Sequence, residues 1–146
     1  MSWQMALSVQ AAPDNRLPIA LSLKDELAAA LRLGQPLVVM VSLEGCPFCR
    51  VVREHHLLPL LQEGQPIVQV DMRSDARVLD FAGQTRTHDG LVKGWKVVVT
   101  PTLLFFGNGA REVAPRLQGA AIPDFYGAYL EQRLHAARLD LAAARR

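Results

Sequence analysis

The run "PLVVMVS" at residues 36–42 places five apolar residues in succession between Pro36 and Ser42. A strand that is apolar at odd and even positions alike has no face to offer water, so it belongs inside a sheet covered on both sides. The flanking segments supply helices for that cover. Ser22, with Asp25 three residues later, opens "LSLKDELAAALRLGQP" as a capped helix that Gly34 and Pro36 stop. On the other side, "CPFCRVVREHHLL" predicts a second helix, which ends or bends where Leu58 precedes Pro59.

The alternation continues. "QPIVQVDM" predicts a second strand, followed by a polar region without assigned structure and a short helix in "THDGLVKGW". Leu103–Phe106 predicts a strand, Gly107, Asn108 and Gly109 a tight turn, and "REVAPRLQG" an antiparallel edge strand in which Pro115 is tolerable. From Pro123 onward, Phe125, Tyr129, Leu130 and Leu134 stand at helical spacing. The fold class is therefore α/β.

A chain of 146 residues, half of them apolar, suffices for one domain with its own core. The net charge of +2 is small and the basic residues are dispersed, which argues against nucleic acid as a partner and favours proteins. No apolar run approaches the roughly 18 residues of a membrane helix, so no stable membrane insertion is expected. Residues 1–18 are read as a flexible N-terminal segment. Within it, "ALSVQAA" followed by Pro13 and Asp14 fits the tail of an export signal, and equally an ordinary frayed terminus.

Both cysteines of the chain lie in "GCPFC", at i and i+3. One helical turn separates such positions by about 5 to 6 Å, within the range a disulfide accepts. Cys46 falls at the first turn of a helix, where unsatisfied N–H groups and the macrodipole favour a thiolate. Pro47 suits the first helical position, and Cys49, one turn in, is expected to be more covered. An exposed attacking sulfur with a covered resolving sulfur is the asymmetry that thiol–disulfide exchange uses.

A strand leading into "CPFC" at a helix start, "TPT" about fifty residues on, the hairpin "LLFFGNGAREV" and the glycine of "RLQG" together resemble the thioredoxin superfamily over roughly residues 20–137. In "GCPFC", "DFAG", "VVVTPTLLFF" and "RLQGAAIPDFYGAYL" the chain is similar to exported bacterial thioredoxin-like proteins of sulfur-oxidation and cytochrome-maturation systems. The resemblance implies a thioredoxin-like domain over residues 19–146, with a central mixed sheet of about four to five strands flanked by helices. It implies a protein thiol–disulfide oxidoreductase in which Cys46 attacks and Cys49 resolves. Pro101 is then cis, Thr100 offers its backbone to substrate, and Phe48 tunes the redox pair and lines the substrate surface. No cofactor is implied, because the two sulfurs carry the two electrons. The expected partners are proteins bearing disulfides or thiols and a membrane thiol reductase as electron donor. The expected setting is a monomer in the bacterial periplasm, with the cytoplasm as the alternative.

Two departures from the family pattern accompany these matches. Cytosolic thioredoxins carry a buried acid six positions before the first cysteine and an aromatic residue just before it, where this chain has Met40 and Gly45. Glu44, a water or a substrate group must then accept the proton of the resolving thiol. His55 and His56 invite a metal reading with the cysteines. On a straight helix, however, His56 lies about 10 Å beyond Cys49, too far to share an ion, so no metal is expected. His88 and His135 show no partner in the sequence. The competing classes are a non-catalytic scaffold or binding module of thioredoxin shape, and a metal carrier.

Overall fold

The computed structural model describes residues 15–120 and 123–145. The expected helices and strands appear as α1 (Leu23–Arg32), β1 (Leu37–Ser42), α2 (Pro47–Val52), α3 (Leu58–Gln62) and β2 (Ile67–Asp71). They continue with β3 (Arg77–Leu79), β4 (Thr85–Thr87), α4 (His88–Gly94), β5 (Thr102–Phe106), β6 (Leu117–Gln118) and α5 (Tyr126–Ala144). Strand order in the main sheet is β2-β1-β5-β6, with β1 parallel to β2 and antiparallel to β5. This mixed sheet with helices on both faces is the α/β architecture the sequence predicts.

All six residues of β1 are buried, and their alternation divides them between two cores. Val38 and Met40 join Cys49, Val52, Leu103, Phe105, Tyr126, Leu130 and Leu134 on the face covered by α2, α3 and α5. Leu37, Val39 and Val41 join Leu23, Leu27, Leu91, Val92, Leu104 and Phe106 on the face covered by α1 and α4. The uninterrupted apolar run thus comes from a period of two read on two covered faces at once. Burying side chains such as Leu37 or Met40 contributes about 1.5–3 kcal/mol each before conformational entropy is subtracted. Leu17 is also buried in the first core, and the Pro18 carbonyl accepts the Gln69 N–H at 2.8 Å. The export-signal reading of "ALSVQAA" lies outside the described residues.

Several expectations need correction. Of the two outcomes expected where Leu58 precedes Pro59, an end or a bend, the helix does not end there. A π turn over Arg53–Leu57 joins α2 to α3, with the Leu58 N–H bonded to the Arg53 carbonyl. Pro59 has no N–H to continue the α-helical register, and the wider turn lets the chain remain helical to Gln62. The polar region contains a hairpin: β3 pairs antiparallel with β4, and Asp80 Oδ1 accepts the N–H groups of Ala82 and Gln84 across the turn, at 2.9 Å each. The edge strand after the turn is shorter than "REVAPRLQG". Beyond an isolated bridge between Phe106 and Glu112, only Leu117 and Gln118 form the ladder with β5. In α5 the buried stripe is Tyr126, Leu130, Leu134, Ala137 and Leu141, while Phe125 and Tyr129 are exposed. At the start of α1, Ser22 Oγ accepts the Asp25 N–H, but Glu26 rather than Asp25 closes the cap, taking the Leu21 and Ser22 N–H groups at 2.8 and 2.6 Å.

Candidate active site

β1 delivers the chain to the site. After Ser42 the backbone turns through Gly45, whose φ of +78° lies in the left-handed region that favours glycine, and the Cys46 N–H bonds the Leu43 carbonyl at 3.1 Å. Cys46 is the N-cap of α2, with Pro47 in the first turn. Its sulfur accepts the Cys49 N–H at 3.2 Å, the position a capping oxygen occupies in most helices. Cys46 and Cys49 form a disulfide, with their Cα atoms 5.3 Å apart. Cys46 is partly exposed, whereas Cys49 is 1% exposed in the core.

Opposite the pair stands the segment before β5. The Thr100 carbonyl oxygen lies 3.8 Å from Cys46 Sγ, and the Thr100 hydroxyl lies 3.6 Å from the same sulfur as a donor. The Thr100–Pro101 peptide bond is cis. Pro101 is buried, and its carbonyl accepts the Gly119 N–H at 2.7 Å, which ties the loop to the end of β6. Phe48, Val98 and Val99 are exposed on the chain segments that carry this site.

The comparisons with known proteins bear on the family and the fold. A thioredoxin-like domain model matches residues 23–134. The chain belongs to the thioredoxin-like domain family. Among solved structures, a thioredoxin from Thermus thermophilus superposes with a TM-score of 0.58 at 21% identity, covering 90% of this chain and 95% of the other. A structure described as DsbH oxidoreductase gives a TM-score of 0.54 at 16% identity, covering 93% and 96%. Thioredoxin f2 from Chlamydomonas reinhardtii gives 0.50 at 18% identity, covering 78% and 96%. No curated protein matches the chain in sequence. The thioredoxin-like family and the disulfide-forming pair support thiol–disulfide oxidoreductase activity.

Within this family frame, the interior beside the resolving sulfur is apolar. Met40 is fully buried in the same cluster as Cys49. Glu44 is exposed on the loop before Cys46. It lines an open cleft of about 1310 Å³ that extends from Cys46 along α2 and the ends of β1 and β2.

Sequence reasoning missed the polar floor of that cleft. Arg53 donates from Nε to Gln69 Oε1 and from Nη2 to Ser42 Oγ, both at 2.9 Å, and Gln69 Nε2 donates to Asp71 Oδ1 at 2.7 Å. A usable signal was present in β2: Gln69 and Asp71 are alternate, half-buried residues, while Val68 and Val70 between and beside them are buried on the other face. His88 extends the network. The Asp71 N–H donates to its Nδ1 at 3.0 Å, and its Nε2 lies 3.2 Å from the Ala20 carbonyl, which assigns the proton to Nε2. His88 therefore has two partners that the sequence did not reveal.

The other histidines go separate ways. His56 packs on Tyr126 with ring centroids 5.2 Å apart, and burial, then the neighbouring His55, lowers its pKa. His55 lines the cleft and His135 is exposed. Among the described residues no group of three or more His, Cys, Asp or Glu is placed to hold a metal ion.

Proposed function

We propose that this protein is a dithiol–disulfide exchange enzyme in which Cys46 is the nucleophile and Cys49 the resolving thiol. The observation that carries this reading is the inequality of the two sulfurs: Cys46 caps a helix, partly exposed beside Thr100, while Cys49 is enclosed. In the reduced protein, the Cys46 thiolate attacks one sulfur of a substrate disulfide. A bond forms from Cys46 to that sulfur, and the other substrate sulfur leaves as a thiolate that takes a proton from solvent. Cys49 then loses its proton and attacks Cys46 Sγ. This forms the Cys46–Cys49 disulfide and releases the second substrate thiol, so two electrons have passed to the substrate.

With Met40 apolar behind Cys49, the resolving proton must leave toward solvent, and Glu44 is the carboxylate on the active-site loop to receive it. Thr100 and Pro101 align the substrate backbone, and Phe48 with Val98 and Val99 supplies apolar contact. Exported proteins are the substrates, a membrane thiol reductase restores the dithiol, and the protein works as a monomer in the bacterial periplasm. This part of the reading rests on the motif resemblance. The fold likeness to the DsbH oxidoreductase is compatible with it.

The test is a pair of variants. Cys46→Ser should abolish reduction of a protein disulfide, and Cys49→Ser should accumulate mixed disulfides that separate on a non-reducing gel. Normal turnover by Cys49→Ser would reject the resolving role, and binding without turnover by the wild type would favour a scaffold. Fractionation of cells expressing the full gene tests the compartment.

A further inference from the structure

The exchange reading accounts for the sulfurs and the Thr100 side of the site. It leaves the cleft on the opposite side of Cys46 without a task. Cys46 and Arg53 both line that cleft, and they stand seven positions apart along the helix, about 10 Å along the axis at 1.5 Å per residue. That distance is the length of about three extended residues.

Arg53 is half-buried, and the groups that hold it are neutral. Ser42 Oγ and Gln69 Oε1 occupy two of its five N–H donors, and among the described residues it makes no ion pair. Asp71 reaches it only through the Gln69 amide. A cation drawn partly out of water without a counter-ion is costly, and an anion seated on its remaining N–H groups would offset that cost with directed, charge-assisted bonds. The two neutral contacts also fix the guanidinium plane in advance, so little side-chain freedom remains to be lost on binding.

The overall field of the cleft is a minor contributor. Its lining holds four arginines against three carboxylates, of which Glu54 is taken by Arg50 and Asp71 by Gln69. Selectivity must therefore come from the geometry at Arg53.

We propose that this cleft seats a carboxylate carried by the thiol or disulfide that reacts at Cys46, with Arg53 as its receptor. The proposal rests on the exchange reading above. The carboxylate belongs either to a small peptide thiol or to an acidic residue two or three positions from a protein cysteine, and both present the same group at the same distance from sulfur.

The experiment compares kcat/KM for oxidised glutathione with that for bis(2-hydroxyethyl) disulfide, which has no charge, in the full chain and in Arg53→Gln. The wild type should favour glutathione disulfide, and the ratio should fall about tenfold in the variant. A preference unchanged by the substitution both here and in the peptide arm that follows overturns the proposal. Because both substrates share the same sulfur chemistry, a partly unfolded variant would lower both rates and leave the ratio intact. Disulfide-linked peptides with Glu or Gln three residues from the cysteine form the second arm. Selectivity confined to the glutathione arm assigns the site to small thiols, and selectivity confined to the peptide arm assigns it to acidic proteins. Titration with S-methylglutathione, which cannot exchange, keeps the result separate from the exchange reading. The Arg53 Nε–H resonance should shift on saturation even if neither disulfide is reduced, and no shift together with no selectivity rejects the site.

Discussion

The Thr100 hydroxyl stands 3.6 Å from Cys46 Sγ, bringing together residues fifty-four positions apart in the chain. As a donor to sulfur it gains strength when Cys46 becomes a thiolate, because hydrogen bonds to ionised acceptors are about twice as strong as neutral ones.

Thr100→Val keeps the shape and removes that donor. The midpoint for alkylation of reduced Cys46 should move to higher pH, and its reaction near neutrality should slow severalfold, as expected for about 1 kcal/mol of thiolate stabilisation. Rates of iodoacetamide modification across pH would check this. A profile superimposable on the wild type would show that the hydroxyl does not act on the thiolate.

Glu44→Gln tests the route of the resolving proton. A positioned general base contributes roughly 10²- to 10⁴-fold, and a carboxylate that is solvent-exposed on a loop should sit at or below the lower end of that range. The mixed disulfide with substrate should live about tenfold longer in the variant, while its formation by Cys46 is little changed. Stopped-flow kinetics separates the two steps. Equal slowing of both would remove Glu44 from this role.

The sequence made the sheet legible where pattern and position agreed. β1 was readable because its residues are buried on both faces, and the Cys46 cap because strand, glycine and Pro47 all point to a helix start. The hairpin β3–β4 was not readable: β4 is exposed throughout, and only Val78 is buried in β3, so no apolar alternation marks it. The helix continues beyond Leu58 because a π turn absorbs Pro59; the proline marks the place, but residue type alone does not say whether the helix stops there or adapts. Of the four residues at helical spacing, Leu130 and Leu134 are buried, whereas the aromatics Phe125 and Tyr129 are exposed. The packing takes Tyr126, one position beyond Phe125, to complete the stripe with Leu130 and Leu134. In the site, Cys46, Cys49 and Thr100 come together, but Arg53, Ser42 and Gln69 are polar residues far apart in sequence: the pairing of β1 with β2 brings Ser42 and Gln69 near each other, and Arg53 reaches both from the π turn after α2.

His88 gives a stability prediction. It is 1% exposed, and its ring satisfies the Asp71 N–H and faces the Ala20 carbonyl, which links β2 to the segment before α1. His88→Phe fills the space and leaves both backbone groups unpaired in the interior, a loss on the order of 2–4 kcal/mol. Urea unfolding should show the midpoint fall with an unchanged slope. A loss below about 0.5 kcal/mol would mean that the two backbone groups find other partners.

Glu26 gives a prediction in pH. Burial raises its pKa above the ordinary 4.5, against the opposing pull of the Ser22 and Leu21 N–H groups; Asp25 adds to the rise and His88 opposes it. One carboxylate oxygen accepts both N–H groups, and the other is buried without a partner among the described residues. With the folded pKa above the unfolded one, the folded state holds a proton that the unfolded chain has already released in the interval between the two. Stability contributed by this group is therefore full below the unfolded value and declines as pH rises through the folded value. Glu26→Gln cannot titrate and keeps an oxygen for the two N–H groups, although its amide N–H₂ takes the unpartnered place at some cost. Relative to wild type, the variant should gain stability as pH is raised from 4 to 7, with the difference levelling off above the raised pKa. Chemical unfolding of both proteins across that range reads the difference directly, free of the titrations they share. A difference that is flat with pH would show that the cap cancels the effect of burial, and one that moves in favour of the wild type would show that the cap outweighs it.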